Sequence, residues 1–202
     1  MNLKTLGRVT GVVVLTGMLA GCIDMTAEID VESETTGTAT TTMTMGAEFY
    51  PMIKQMSEAA PEGEASDGFC VEEGDVLTEN ADGSATCVSV TTGEFAALSG
   101  ADGPSEDASF TVVSPGVVRV AFTTENMSSQ VTEGQDEETA QMMKAYLDGH
   151  NVTIRIKGNK VIETNMTLSG DGKAAEIVIP FLGLIDGTAN LPKELFAVVD
   201  TR

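Results

Sequence analysis

The sequence predicts an α+β domain: a curved antiparallel sheet with two helices packed on one face, after a cleaved amino-terminal segment. Three observations support this class. Apolar and polar residues alternate over several short stretches, two longer stretches have a helical period, and turns rich in Gly, Asn and Asp separate them. The length suits one domain with a sizeable core.

The mature chain begins with two predicted strands. Ile23–Val31 alternates apolar and polar residues, and residues 39–45 alternate again after a break at Thr36 and Gly37. A helix follows in "AEFYPMIKQMSEAA", because Phe49, Met52, Ile53 and Met56 fall at i, i+3, i+4 and i+7. We therefore expect these four side chains to form its buried face.

A second helix is predicted over residues 132–148. Thr132 and Gln135 fit a capping box, and Gly149 suits the position after the last helical turn. The remaining strands are expected at residues 70–77, 85–90, 110–113 and 117–124, in a closing meander at residues 152–156, 162–168 and 175–179, and near the carboxyl end.

The first residues have the form of a secretory signal. Lys4 and Arg8 precede an apolar stretch, residues 9–20, that is shorter than the ~20 residues needed to span a bilayer. The stretch ends in Leu19, Ala20, Gly21 and Cys22, which resembles the lipobox of bacterial lipoproteins. A plain signal peptide with a chance cysteine is the alternative.

The lipobox resemblance implies cleavage before Cys22, a diacylglycerol thioether on its sulfur, and an acyl chain such as palmitate on the freed amine. Residues 1–21 are then the signal peptide, and residues 22–202 are one lipid-anchored domain. Ile23, rather than an aspartate, follows the cysteine. Aspartate at that position would resemble the signal that retains lipoproteins in the inner membrane, so its absence favours the periplasmic face of the outer membrane if the host is Gram-negative. The first strand begins almost at the anchor, which places the domain close to the membrane surface.

Two cysteines remain after Cys22. Cys70 and Cys87 are an even pair in a chain with an export signal, so a disulfide is expected. The alternative, a metal site with two thiols, lacks further thiols and a nearby histidine.

Composition limits the function classes. A formal net charge of −20 argues against nucleic acid as a partner and would repel anionic headgroups. His150 is the single histidine, no G-x-S-x-G or H-E-x-x-H motif is present, and a helix-end position suggests that its imidazole caps carbonyls. The acidic turns at residues 80–84 and 169–176 fit hairpins better than calcium loops. We expect no catalysis, no cofactor and no metal.

Two segments resemble the LppM-type bacterial lipoproteins of unassigned function: "CIDMTAEIDVESETTGTATTTMTM" and "VTIRIKGNKVIETNMTLSGDGKAAEIVIP". The resemblance implies a signal and lipobox before an α+β domain similar to lipid-handling folds. The Cys70 and Cys87 pair departs from that pattern. No functional residue beyond the lipobox carries over.

The expected function is a lipid-anchored envelope protein that holds an acyl chain or another apolar ligand between sheet and helices. Its lining would be Met25, Met43, Met45, Met52 and Met56, because thioethers suit adaptable apolar cavities. Copper(I) binding and a filled core are alternative uses of these methionines. The alternative function is an accessory subunit of an envelope assembly that contacts a protein partner through its acidic loops, residues 60–68 and 99–107. A closed apolar cavity would favour the ligand, and a packed interior with an exposed apolar patch would favour the partner.

Overall fold

The structure is a computed structural model that describes residues 23–59, 69–99, 108–125, 127, 141 and 144–202. The predicted signal peptide, Cys22, residues 60–68 and residues 100–107 lie outside these ranges. The elements are β1 (Ile23–Val31), β2 (Thr36–Met45), α1 (Tyr50–Ala59), β3 (Val76–Glu79), β4 (Ala85–Glu94), α2 (Phe95–Leu98), β5 (Ala108–Ser114), β6 (Val117–Thr123), β7 (Asn151–Lys157), β8 (Lys160–Thr164), β9 (Thr167–Leu168), β10 (Ala174–Pro180), α3 (Phe181–Ile185) and β11 (Glu194–Asp200).

The α+β class is confirmed, but the prediction of one antiparallel sheet is wrong. The strands form a seven-stranded sheet of order β3-β4-β2-β1-β7-β10-β9 and a four-stranded sheet of order β5-β6-β11-β8. One pair in the larger sheet, β1 with β7, is parallel, with Met25 opposite Val152. Period-2 alternation identifies a half-buried strand, but it carries no information about the partner strand or its direction.

The main hydrophobic core contains side chains from both sheets, so it lies between them. Ile29 and Ile156 of the larger sheet and Val120 and Leu195 of the smaller sheet are almost completely buried in one cluster. Phe181, the largest of the fully buried side chains, joins this cluster from the first position of α3. The two helices predicted on one face are not confirmed, because most of the second one lies outside the described residues.

The first two strands match the sequence prediction closely. β1 begins at Ile23, which is bonded to Cys22, and pairs with β2 along its whole length. Ile23, Ile29 and Val31 are buried, while the intervening residues remain at least partly accessible. The domain therefore starts within one residue of the predicted anchor.

The closing meander is not one continuous sheet. β7 and β10 pair in the larger sheet, whereas β8, which lies between them in sequence, pairs with β11 in the smaller sheet. The chain passes from one sheet to the other at Gly158. A Cβ added there would lie 2.3 Å from Val199 Cγ1 and 3.2 Å from the Val31 carbonyl oxygen. Only a residue without a side chain fits this crossing.

Replacement of Gly158 by alanine tests the crossing. We expect a loss of about 1–3 kcal/mol in the free energy of unfolding, because Val199 is fully buried and cannot move aside. Gly170→Ala is the matched control, since nothing lies within 4 Å of the place that its Cβ would take, and surface changes of this kind stay within about 0.5 kcal/mol. Urea unfolding of both variants measures the difference; equal midpoints would contradict the close approach.

The end of the second predicted helix agrees with the structure where it is described. Residues 144–147 are helical, Leu147 is fully buried, and Gly149 follows with a φ of 87°. This left-handed conformation is the one that favours glycine after a helix. The predicted role of His150 as a carbonyl cap is wrong: its Nδ1 lies 3.2 Å from Oδ2 of Asp24, at the start of β1.

Candidate functional site

One row of paired residues crosses the larger sheet at the end where the described chain begins. Ile23 pairs with Met45, Met45 pairs with Ala85, and Ala85 pairs with Glu79. Adjacent strands lie about 4.8 Å apart, so Glu79 on the edge strand is about 15 Å from Ile23. Features that surround Glu79 therefore lie at the same end of the molecule as the predicted anchor.

A second, smaller hydrophobic cluster covers this row. Its buried members are Ile23, Met45, Tyr50 and Ala85, and its partly buried members are Met43, Phe49, Ile53 and Phe69. α1 packs here because a short turn follows β2, in which the Tyr50 amide donates to the Gly46 carbonyl. Pro51 occupies the first turn of α1, where a missing amide hydrogen costs nothing.

A half-open groove of about 230 Å³ runs between α1 and β3. Its apolar lining comes from Ile53, Phe69 and Leu77, and its polar rim includes Lys54 and Glu79. The full lining is Tyr50, Ile53, Lys54, Ser57, Glu58, Phe69, Leu77 and Glu79. This volume lies below the 300–1,000 Å³ that is usual for sites of drug-sized ligands. The groove is therefore sized for one end of a ligand rather than for a whole lipid.

A network of three side chains fixes the polar rim. Tyr50 Oη donates to Glu79 Oε1 at 2.6 Å, and Lys54 Nζ lies 2.6 Å from the same oxygen. The bonds from Lys54 and Tyr50 lower the pKa of Glu79 below its usual 4.5, and the bond to Glu79 raises the pKa of Lys54. The rim therefore holds an ionised pair near neutral pH.

The titration of Tyr50 tests this network. Its hydrogen bond to Glu79, together with burial, raises the pKa of Tyr50 above 10.0. A raised folded-state pKa means that the bond's stabilisation is complete below the unfolded pKa of about 10 and is lost as the pH rises through the folded value. Glu58 and Glu79 raise this pKa, while Lys54 lowers it as long as the amine is charged.

Phenolate absorbance as a function of pH measures this pKa. The chain has two tyrosines, so Tyr146→Phe leaves Tyr50 as the single phenol. We expect its midpoint to lie above 10, and we expect Glu79→Gln in the same background to lower it. Identical midpoints in the two variants would show that the Tyr50–Glu79 bond is absent.

The disulfide between Cys70 and Cys87 supports one wall of the groove. It is present as predicted, with a Cα–Cα distance of 5.4 Å. Phe69 precedes Cys70 and packs edge-to-face on Tyr50, with ring centroids 6.1 Å apart. The bridge therefore ties the segment that carries Phe69 to β4, under the groove.

Asp75 lies beside the same bridge. One of its carboxylate oxygens is 3.5 Å from Cys87 Sγ, and its other oxygen accepts a hydrogen bond from the Ser89 hydroxyl. Ligating atoms of Cys70, Asp75 and Cys87 all lie within 4.8 Å of one another. Sulfurs joined in a disulfide offer no thiolate, so this group is not a metal site in the oxidised protein.

The structure does not bring the five predicted methionines around one space. Met45 is buried in the smaller cluster, Met43 packs against that cluster, and Met25 packs against the main core. Met52 and Met56 are 49% and 63% exposed. None of the five methionines lines the groove. The positions of the methionines in the sequence therefore did not indicate the residues that form it.

The sequence pattern indicates only some of the residues that form or support the groove. Ile53 belongs to the predicted helix face, and Cys70 and Cys87 were paired correctly, but Phe69, Leu77 and Glu79 carried no signal of their own. A sequence clue was available in Tyr50 and Lys54, which lie four residues apart on one side of α1 and so can meet one common partner.

The fold and the groove define a mixed α+β protein built on two open sheets. Within the described part of the chain, no helix is long and apolar enough to cross a membrane. No family model matches the chain, and no curated protein matches it.

Among solved structures, the folded domain of the LppM protein of Mycobacterium tuberculosis, determined by NMR, is similar to this chain, with 10% sequence identity and a TM-score of 0.47. The alignment covers 90% of this chain and 94% of that domain. LppM also represents the group that the sequence resembles, but a likeness of this extent carries no argument about function.

Proposed function

We propose that the chain is a non-catalytic envelope lipoprotein, anchored through acyl chains on Cys22, whose groove holds the end of an acyl chain or another apolar group. The observation that carries this proposal is the groove itself: an apolar lining beneath an ionised rim, at the same end of the sheet as Ile23. An anchor at Cys22 would hold this opening near the bilayer, where apolar ligands are concentrated.

The chemistry of the groove fits an amphiphile. Ile53, Phe69 and Leu77 would contact methylene groups, and burial of each methylene is worth about 0.8 kcal/mol. The ammonium of Lys54 and the hydroxyl of Ser57 lie among the polar lining residues, where a headgroup would sit. The periplasmic face of the outer membrane remains the location we propose for a Gram-negative host.

The test is retention of lipid by the purified protein. The full 202-residue chain would be expressed in a bacterium that acylates lipobox proteins, and native mass spectra would be recorded with extraction of non-covalent lipid. Leu77→Glu places a charge in the groove. Val76→Glu is the matched control, because the neighbouring side chain projects from the opposite face of β3 and does not line the groove.

We expect the wild type and Val76→Glu to retain lipid and Leu77→Glu to lose most of it. A wild type that retains none, even after addition of membrane extract, would contradict the ligand-binding role. The accessory-subunit function would then become the leading proposal, and cross-linking in the native envelope would be the way to find a protein partner.

A further inference from the structure

An apolar stripe on α1 is left without a covering element in the described structure. Phe49, Met52 and Met56 fall at i, i+3 and i+7, so they share one side of the helix and its preceding turn. Phe49 is partly buried, whereas Met52 and Met56 are 49% and 63% exposed. We call these three residues the α1 stripe.

The α1 stripe lies beside the start of the described chain. α1 follows β2 after a four-residue turn, and the last residue of β2, Met45, pairs with Ile23. Phe49 packs against the cluster that buries Ile23. Cys22 is one peptide bond, about 3.8 Å between Cα atoms, before Ile23. Acyl chains on Cys22 would therefore enter the bilayer next to the stripe, with no linker to separate them.

We propose that the α1 stripe inserts into the headgroup region of the membrane that holds the anchor, so that the domain rests on the bilayer in one fixed orientation. This inference rests on the proposed anchor at Cys22. The anchor keeps the stripe at a high local concentration of lipid, so a few side chains suffice to dock the domain. Methionine suits this position, because its flexible, apolar thioether side chain adapts to an irregular apolar surface.

The net charge of the chain determines whether the α1 stripe docks more strongly on zwitterionic or on anionic lipid. The full chain has a net charge of −20, and cleavage would also remove the cations Lys4 and Arg8. The acidic domain repels anionic headgroups, so we expect docking on zwitterionic lipid and weaker docking as anionic lipid is added. This dependence is opposite to that of basic amphipathic helices, which bind anionic surfaces more tightly. We favour a bilayer over a protein as the partner of the stripe, because the anchor by itself places the stripe at the bilayer.

The chain contains no tryptophan, so a single introduced tryptophan is a unique fluorescent probe. Met56→Trp places it on the α1 stripe. Val113→Trp is the matched control: Val113 is 57% exposed, close to the β5–β6 turn. That turn contacts Glu34, beyond the far end of β1, through the Gly116 amide. Nine strand residues, about 27 Å, separate the two ends.

The acylated variants would be reconstituted into phosphatidylcholine vesicles whose acyl chains carry bromine, which quenches tryptophan on contact. We expect blue-shifted, strongly quenched emission from Met56→Trp and unquenched emission from Val113→Trp. Replacement of half of the lipid by phosphatidylglycerol should reduce the quenching of Met56→Trp. Equal emission and quenching in the two variants, in protein that floats with the vesicles, would overturn docking while leaving the anchor intact.

The mass of the purified protein distinguishes an absent anchor from an absent docking surface. If the mass of the purified protein shows no acyl chains on Cys22, the proposed anchor is wrong. Docking is then scored separately by coupling Cys22 to a maleimide lipid in the same vesicles, which is selective because the other two cysteines form the disulfide. Quenching of Met56→Trp in that arm would support the stripe as a docking surface, and its absence would overturn it.

Discussion

Phe181→Ala should lower the free energy of unfolding by about 3–5 kcal/mol, the largest effect expected of any single substitution considered for this chain. Phe181 is 2% exposed and belongs to the core between the two sheets. Removal of its ring reduces the apolar area buried in the core. It also leaves a cavity, because the two sheets that pack on this cluster cannot move together to fill it. Its backbone amide, which donates to the His150 carbonyl at 3.0 Å, would remain bonded.

Urea unfolding of the chain without residues 1–22 measures this effect. Val178→Ala is the control, because Val178 lies three residues earlier on β10 and is 53% exposed. We expect the control to stay within about 0.5 kcal/mol of the wild type. A loss below about 1 kcal/mol for Phe181→Ala would show that the two sheets do not pack through this residue.

Removal of the disulfide should have the second largest effect. Cys70 and Cys87 are 17 residues apart, and closing a loop of this length stabilises a fold by about 3 kcal/mol in the chain-entropy model. For a protein of this size, that loss corresponds to a decrease in Tm of roughly 6–12 °C, at about 2–4 °C per kcal/mol. The double variant Cys70→Ala/Cys87→Ala removes the bridge without placing a hydroxyl at the fully buried position 87.

Calorimetry of the double variant and of the wild type with a thiol reductant separates the bridge from the substitutions. We expect both samples to melt at similarly reduced temperatures, and the reductant to leave the double variant unchanged. The groove should be affected as well, because Phe69 is held against Tyr50 by the neighbouring bridge. A wild type whose melting temperature is insensitive to complete reduction would contradict a stabilising role for the bridge.

Local features of this fold could be predicted from sequence, but the arrangement of the strands could not. The alternation in Ile23–Val31 and the turn at residues 80–84 follow from side-chain period and turn chemistry, and both were confirmed. The parallel pairing of β1 with β7 joins residues more than 120 positions apart, which no local pattern encodes. The separation of β7 from β8 depends on the crossing at Gly158, whose tight contact is visible only in three dimensions.

The predicted site differs for a similar physical reason. The period of α1 correctly indicated a helix, but its covered side is centred on Tyr50, Ile53 and Ser57, about one residue's rotation from the predicted face. α1 packs on a small cluster beside an edge strand, so only one narrow side of the helix is buried. Met52 and Met56 therefore point away from the cluster, and the groove is lined by aromatic and charged residues instead.

The most direct test of the proposed anchor at Cys22 is the intact mass of the protein extracted from the membranes of a bacterium that expresses the full chain. We expect a polypeptide that begins at Cys22 and carries the mass of a diacylglycerol and one further acyl chain. In Cys22→Ser, this added mass should be absent and residues 1–21 should remain. A wild-type chain with an unmodified Cys22, or one cleaved elsewhere, would contradict the anchor on which the groove and the α1 stripe depend for their place at the membrane.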